Sequence, residues 1–160
     1  MKLLFFSILG LIFFVSIDQS YAQTVNGIMD VVFIDLGSAG DSTLIIFPNG
    51  KTMLIDGGLK NGYPNVKSVL DEYDVDTINL MLATHSDRDH VNGLTELLQN
   101  GEFQVDEIWV NPIEDTGSTY QEFLTSAEGI SVTVVTAGKQ IELDNTVDAQ
   151  IVSPPETLIE

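Results

Sequence analysis

The sequence has 160 residues, 24 acidic against 6 basic side chains, a net charge of −18 and no cysteine. Without cysteine it can form neither a disulfide nor a thiolate metal site, so core burial or metal binding through nitrogen and oxygen must stabilise it. Such an acidic chain repels phosphate backbones and anionic headgroups, which makes nucleic acid and membrane surfaces poor default partners.

The N-terminus has the pattern of a secretory signal peptide. One lysine precedes an apolar run, Leu3–Ile17, and the small residues Ser20 and Ala22 stand at the positions that signal peptidases require. We therefore expect residues 1–22 to be cleaved, leaving a secreted or periplasmic domain over 23–160 with no stable membrane association. An uncleaved anchor is the alternative, because the run is near the lower length limit for crossing a bilayer.

The domain is expected to begin with β-structure. Two runs rich in valine, isoleucine and phenylalanine, 28–36 and 42–47, are predicted as strands. The turn sequence PNGK then joins the second run to a strand over 52–55, which together form a β-hairpin. The sequence DGG at 56–58 ends this hairpin.

After the hairpin, helices and strands alternate. Apolar spacing predicts an amphipathic helix over 65–73, and the apolar run 78–84 predicts a strand buried on both faces. A second helix is expected over 91–101. The remaining predicted elements are a strand over 107–110, a helix over 118–128, a strand over 131–135 and short β-like pieces at 140–143 and 148–153. This order predicts an α/β fold with a mixed β-sheet and flanking helices.

Both histidines of the chain lie in THSDRDHVNGL, where the buried strand ends and the next helix begins. Such junctions are where open α/β sheets present ligands. Alternate side chains of an extended stretch point the same way, so His85, Asp87 and Asp89 could converge, with His90 joining as the helix begins. Imidazole and carboxylate groups suit zinc, manganese or iron. The segment is therefore predicted to be a metal site.

Each of these residues also has a purely structural explanation. Asp89 could cap the helix, Asp87 could close an Asx turn, and both histidines could be ordinary exposed loop residues. The presence of four ligand-type side chains at one strand-to-helix junction favours the metal site.

The segment THSDRDH resembles the H-x-[HD]-x-D-H metal motif of the metallo-β-lactamase superfamily. Upstream, VVFIDLGSAGDSTLIIFPNGKTMLIDGG is similar to the opening strands of that fold, and specifically to the soluble domain of ComEC-type competence proteins. The resemblance covers residues 28–155. It implies a metallo-β-lactamase-like αββα sandwich, of which this chain would form only the N-terminal half.

The resemblance also implies roles for particular residues. His85 and Asp87 would bind a first divalent metal, Asp89 and His90 a second, and Asp89 would also orient the attacking water as the catalytic residue. Asp56, in the LIDGG turn, would support the metal ligands from behind; a plain turn carboxylate is the alternative. The two metals would be zinc, or manganese or iron because Asp87 makes the first site richer in oxygen, and they would activate water for hydrolysis.

The family site uses more ligands than the four present here, and no histidine follows His90. We therefore expect a truncated chain with an incomplete site, inactive as these 160 residues, and a natural half-domain is the alternative. We also expect an apolar sheet face that no C-terminal element covers.

The leading hypothesis is a secreted or periplasmic metal-dependent hydrolase whose partner is a small-molecule or phosphoester substrate, with an ester, phosphoester or lactam bond cleaved. The opening strands favour a competence-type nuclease as an alternative, although the net charge disfavours nucleic acid. A degenerate, non-catalytic metal-binding half-domain is the third reading. No oligomeric state is predicted.

Overall fold

The computed structural model describes residues 27–113 and 115–157, and the predicted signal peptide over 1–22 lies outside them. The strands are β1 (Asp30–Phe33), β2 (Thr43–Ile46), β3 (Thr52–Ile55), β4 (Thr77–Ile78), β5 (Leu80–Ala83), β6 (Gln104–Val105), β7 (Glu107–Val110) and β8 (Ser131–Val134). The helices are α1 (Tyr63–Glu72), α2 (Arg88–Asn100) and α3 (Ser118–Ser126). Among these described helices, none is both long and apolar enough to cross a bilayer.

The main sheet has the strand order β1-β2-β3-β5-β7-β8. β1, β2 and β3 pair antiparallel, which confirms the predicted hairpin, whereas β3, β5, β7 and β8 run parallel. The carboxyl ends of parallel strands lie at one edge of a sheet. Asp56, Thr84 and Asn111, which directly follow β3, β5 and β7, therefore lie along the same edge.

The apolar run 78–84 is divided between two sheets, where a single strand was predicted. β4 pairs with β6 in a separate two-stranded sheet, and β5 enters the main sheet. Asn79 stands between them. Its side-chain oxygen accepts the N–H of Thr52 at 3.0 Å, and its side-chain nitrogen donates to Asp106 Oδ2 at 2.8 Å. The polar side chain thus replaces backbone pairing at the point where the strand breaks.

The helices cover one face of the main sheet. Alternate strand residues such as Leu54, Met81 and Ile108 are buried there against Leu94 and Phe123 of α2 and α3. The predicted mixed sheet with flanking helices is confirmed.

The opposite face is covered in its centre by the C-terminal segment (residues 136–151). Trp109 belongs to a second hydrophobic cluster on this face, and Ile141 and Ile151 of the segment pack against that cluster. The expectation that no C-terminal element covers this face was therefore wrong, because a segment without helical periodicity does so. The two predicted β-like pieces of the segment meet in an isolated bridge between Gln140 and Gln150.

The outer strands keep apolar side chains in solvent. Phe33 of β1 is 82% exposed, and Val134 of β8 is 61% exposed. The expectation of incompletely covered apolar sheet surface thus holds at the edges of the sheet.

Candidate metal centre

The histidine loop (residues 84–90) leaves β5 and enters α2 within a few residues. α2 begins at Arg88, three residues earlier than predicted, and Asp87 is the residue at its N-cap, with φ −65° and ψ 142°. The carbonyl of Asp87 accepts the N–H groups of His90 at 2.9 Å and Val91 at 3.1 Å. Among the described residues, the Asp87 side chain makes no capping hydrogen bond.

This early start changes the geometry expected for the loop. The extended alternation predicted to align three side chains ends at Asp87, because Asp89 already lies in the first turn of the helix. The alternative explanation of Asp89 as the N-cap is therefore wrong, because Asp87 occupies that position. Asp89 is half-buried, and its backbone carbonyl packs against Gly40 so closely that a side chain at that glycine would overlap it.

Asp56 lies behind the loop and holds it by its carboxylate. The residue is 3% exposed. Its Oδ1 accepts the Thr84 N–H at 2.9 Å, and its Oδ2 accepts the Thr84 hydroxyl at 2.6 Å and lies 2.8 Å from His90 Nδ1. Its backbone is left-handed, with φ 56°, a conformation that non-glycine residues adopt only where their surroundings hold it. Asp56 is thus in direct contact with the loop rather than confined to its own turn.

The two imidazoles lie side by side. Their ring centroids are 3.8 Å apart and the ring planes are inclined by 49°. Because the carboxylate of Asp56 accepts hydrogen bonds, His90 donates from Nδ1 and keeps Nε2 available for another partner. His85 Nε2 lies 3.5 Å from Asp87 Oδ2, at the solvent side of the loop.

The imidazole and carboxylate groups of the loop are donors that suit a divalent metal, and one pair of them has the spacing that two ligands of the same ion would have. Two ligands of a tetrahedral zinc, each about 2.1 Å from the ion, lie about 3.4 Å apart. The 3.5 Å between His85 Nε2 and Asp87 Oδ2 is close to this spacing. Within the part of the chain that the structure describes, however, no three histidine, aspartate or glutamate side chains are grouped closely enough to hold an ion. The structure therefore brings together pairs: His85 with Asp87, His85 with His90, and His90 with Asp56.

Glycines allow the DGG turn to contact the first turns of α2. Gly57 donates its N–H to the His90 carbonyl at 2.9 Å, and Gly93 donates to the Gly58 carbonyl at 2.8 Å. A Cβ at Gly93 would overlap the Gly57 carbonyl oxygen. The turn that carries Asp56 is consequently joined to the helix that carries His90 through backbone groups.

Three further residues support the site and were not singled out from the sequence. The buried Ser42 hydroxyl donates to the Asp56 carbonyl at 2.9 Å. Asn111 donates from its side chain to the Thr84 carbonyl at 2.7 Å. Asp115 accepts hydrogen bonds from the Ser86 side chain and from the Gly117 N–H. These two bonds, that of Ser86 first, keep the pKa of Asp115 below its usual value. Ser42 and Asn111 share a positional signal, because each adjoins a strand end at the edge that carries the histidine loop, whereas Asp115 does not.

Comparison with known proteins connects this arrangement to a family. A model described as the metallo-beta-lactamase superfamily matches residues 36–156. Two curated relatives, the endoribonucleases Ysh1 of Schizosaccharomyces pombe and of Kluyveromyces lactis, are each 32% identical over 77 residues, which are 45% of this chain and 10% of the relative. The chain thus spans about a tenth of the length of these relatives. Both are endoribonucleases by name, so the resemblance to the ComEC-type subgroup remains a prediction.

A solved structure from Thermotoga maritima, classed with the metallo-beta-lactamases, has the same fold. It superposes with a TM-score of 0.54 at 14% sequence identity, over 71% of this chain and 61% of that one. Since the family model matches well over half of the residues, the chain belongs to the metallo-beta-lactamase superfamily.

Proposed function

We propose that the protein is a metal-dependent hydrolase whose metal ions are held by His85, Asp87, Asp89 and His90. The observation that carries the proposal is the hydrogen bond between buried Asp56 and His90 Nδ1. The ring of His85 lies beside His90, and its Nε2 faces the carboxylate of Asp87. Metal-binding histidines usually donate their other ring N–H to a carboxylate in this way. Membership of the superfamily supports the same chemistry.

In this proposal the ligands divide into two pairs. His85 and Asp87 hold one ion, and Asp89 and His90 hold the second, with zinc preferred and manganese or iron accepted because carboxylates contribute half of the donors. A divalent metal supplies a Lewis acid that polarises the substrate and acidifies water. Completing the coordination of either ion requires a shift of these side chains or donors from elsewhere.

The chain's own residues would bind and orient the reactants. Asp56 holds His90 through Nδ1 and so fixes the direction of its Nε2. The Asp89 carboxylate orients the attacking water and accepts its proton. The side chains of His85 and Asp87 are 41% and 71% exposed, so an ester, phosphoester or lactam can reach them from solvent.

A hydrolysis assay tests this function. The full-length protein, stripped with a chelator and reloaded with zinc, manganese or iron, should cleave at least one of a chromogenic phosphodiester, an aryl ester or a β-lactam. Asp89→Asn should lower kcat by about 10²–10⁴-fold because a positioned proton acceptor is lost. The matched control is Asp148→Asn, which changes an exposed aspartate of the C-terminal segment. Metal uptake without hydrolysis of any substrate would instead support the non-catalytic reading.

A nuclease is the second candidate. The observation in its favour is the match to two endoribonucleases over 77 residues, and the opening strands also resemble ComEC-type domains. The net charge of −18 opposes it, since bound cations would have to offset the repulsion of phosphates. Binding of single-stranded RNA or DNA that weakens steeply with salt, with strand cleavage, would support a nuclease. Cleavage of small esters alone would exclude it.

We further propose that residues 1–22 direct secretion and that the mature protein begins at Gln23. The pattern of one basic residue, an apolar run and small residues before the cut supports this. Mass spectrometry of the secreted or periplasmic protein should find Gln23 at its N-terminus. Retention of Met1 in a membrane fraction would contradict the proposal.

A further inference from the structure

Thr84 occupies the junction between β5 and the histidine loop, in contact with the main polar residues of the site. Its hydroxyl oxygen lies 2.6 Å from Asp56 Oδ2 and 3.0 Å from His85 Nδ1. The same carboxylate oxygen of Asp56 lies 2.8 Å from His90 Nδ1. A chain of hydrogen bonds therefore runs from one imidazole through Thr84 and Asp56 to the other.

We propose that Thr84 is a positioning residue: its hydroxyl, which Asp56 fixes by a hydrogen bond, in turn orients the ring of His85. One buried carboxylate thereby orients both imidazoles, His90 directly and His85 through the hydroxyl. The inference rests on the proposed function and deepens it, because it assigns a residue that orients His85 before any metal binds.

The direction of each hydrogen bond follows from the donors available. An ionised carboxylate only accepts, so the Thr84 hydroxyl must donate its single proton to Asp56. The hydroxyl then has only lone pairs left for His85, and Nδ1 of that ring must carry a proton to complete the bond. A neutral imidazole protonated at Nδ1 has its free lone pair at Nε2. His85 Nε2 is the atom that faces Asp87 Oδ2.

The backbone keeps the hydroxyl in place. Thr84 donates its N–H to Asp56 Oδ1 at 2.9 Å, and its carbonyl accepts the Asn111 amide at 2.7 Å. These bonds do not involve the side chain of Thr84. A valine at this position therefore keeps the shape and both backbone bonds but neither donates to Asp56 nor accepts from His85, whereas a serine keeps the hydroxyl.

The first test measures the tautomer of each histidine in the metal-free chain by long-range ¹H–¹⁵N NMR. The spectra are recorded at a pH at which the ¹⁵N chemical shifts themselves identify both rings as neutral. Wild type should show Nδ1–H at both histidines. Thr84→Val should convert His85 toward the Nε2–H form that predominates in free histidine and leave His90 unchanged, and Thr84→Ser should match wild type. Nε2–H at His85 in wild type overturns the proposal without any variant, and so does an unchanged His85 in a folded Thr84→Val protein.

The second test measures zinc affinity by competition with a chelator. Loss of a residue that orients a metal ligand weakens metal binding by about 10–100-fold, so Thr84→Val should fall in that range and Thr84→Ser within about threefold of wild type. A change of the His85 tautomer without weaker zinc binding would overturn the claim that the Thr84 hydroxyl orients His85 for metal binding. If wild type binds no zinc although Thr84 controls the His85 tautomer, the proposed function fails and the role of Thr84 in orienting His85 stands.

Discussion

Asp56 combines a buried carboxylate with a left-handed backbone, and both features are explained by the groups around it. Its side chain accepts hydrogen bonds from Thr84 and lies against His90 Nδ1, and its carbonyl is held by the Ser42 hydroxyl. Buried polar groups are costly unless they are paired, so each of these groups depends on the others. A single carboxylate thus stabilises the loop and orients its histidines.

Replacing Asp56 should destabilise the metal-free protein. Asp56→Ala leaves the Thr84 N–H and hydroxyl and His90 Nδ1 without their acceptor, which should lower the free energy of unfolding by roughly 2–3 kcal/mol in urea denaturation. The control is Asp76→Ala, an exposed aspartate, which should change it by less than about 0.5 kcal/mol. Equal effects of the two substitutions would show that the carboxylate does not hold the loop.

The limits of sequence reasoning are also visible at single residues. Asp56, His85 and His90 can be proposed from a local motif because they are neighbours in the chain or lie in a recognisable turn. Ser42 and Asn111 cannot, since their contacts exist only because β2 lies next to β3 and β7 lies next to β5. Side-chain convergence at 84–90 was predicted from extended geometry, which the early start of α2 replaces.

At the scale of elements, the site depends on the close approach of α2 to the DGG turn. Backbone hydrogen bonds join Gly57 to His90 and Gly93 to Gly58. The strands β3 and β7 match their predicted bounds because apolar runs with clear polar limits define them. The start of α2 was missed because its first turn, Arg88–His90, contributes no apolar side chain to the periodic pattern.

Gly93→Ala should reverse the usual effect of alanine in a helix. Alanine normally stabilises a helix interior relative to glycine by about 1 kcal/mol. At this position its Cβ overlaps the Gly57 carbonyl oxygen, so we expect a loss of roughly 1–3 kcal/mol in thermal or urea denaturation. Asn92→Ala, one residue earlier on the same helix, is the control and should be close to neutral. A Gly93→Ala protein more stable than wild type would refute the close contact.

At the scale of the whole molecule, the sheet has one helical face and one face covered by the C-terminal segment. The carboxylate of Asp144 holds this segment by accepting the hydroxyl and N–H of Thr146 at 2.6 and 2.7 Å and the N–H of Asn49 at 2.8 Å. These contacts, those of Thr146 first, lower the pKa of Asp144 below its ordinary value. The segment in turn covers Trp109, the single tryptophan of the chain.

Acid should therefore release the C-terminal segment. A carboxyl group with a lowered pKa in the folded state contributes stability that is complete above its ordinary pKa, about 4, and is lost as the pH falls through the lowered value. Trp109 fluorescence should shift to the red over that range. Asp144→Asn should show a red-shifted spectrum already at pH 7. A wild-type spectrum in this variant, with the same acid transition, would exclude the role of Asp144.

The two kinds of apolar surface should respond differently to substitution. Phe123 of α3 is fully buried in the core between the helices and the sheet, so Phe123→Ala should lower the free energy of unfolding by about 3–5 kcal/mol. Phe33 is 82% exposed at the sheet edge, so Phe33→Ser should change it by less than about 0.5 kcal/mol. Urea denaturation measures both. A large loss for Phe33→Ser would mean that the edge strand is covered in solution.

The central claim is that the histidine loop binds a divalent metal, and the most direct test is the zinc content of the purified protein after dialysis, measured by mass spectrometry. We expect at least one zinc per wild-type chain. His85→Ala should lose zinc, and Asp148→Asn should retain it. Less than one zinc per wild-type chain, together with no loss on changing His85 to alanine, would contradict the metal site and the hydrolase proposed from it.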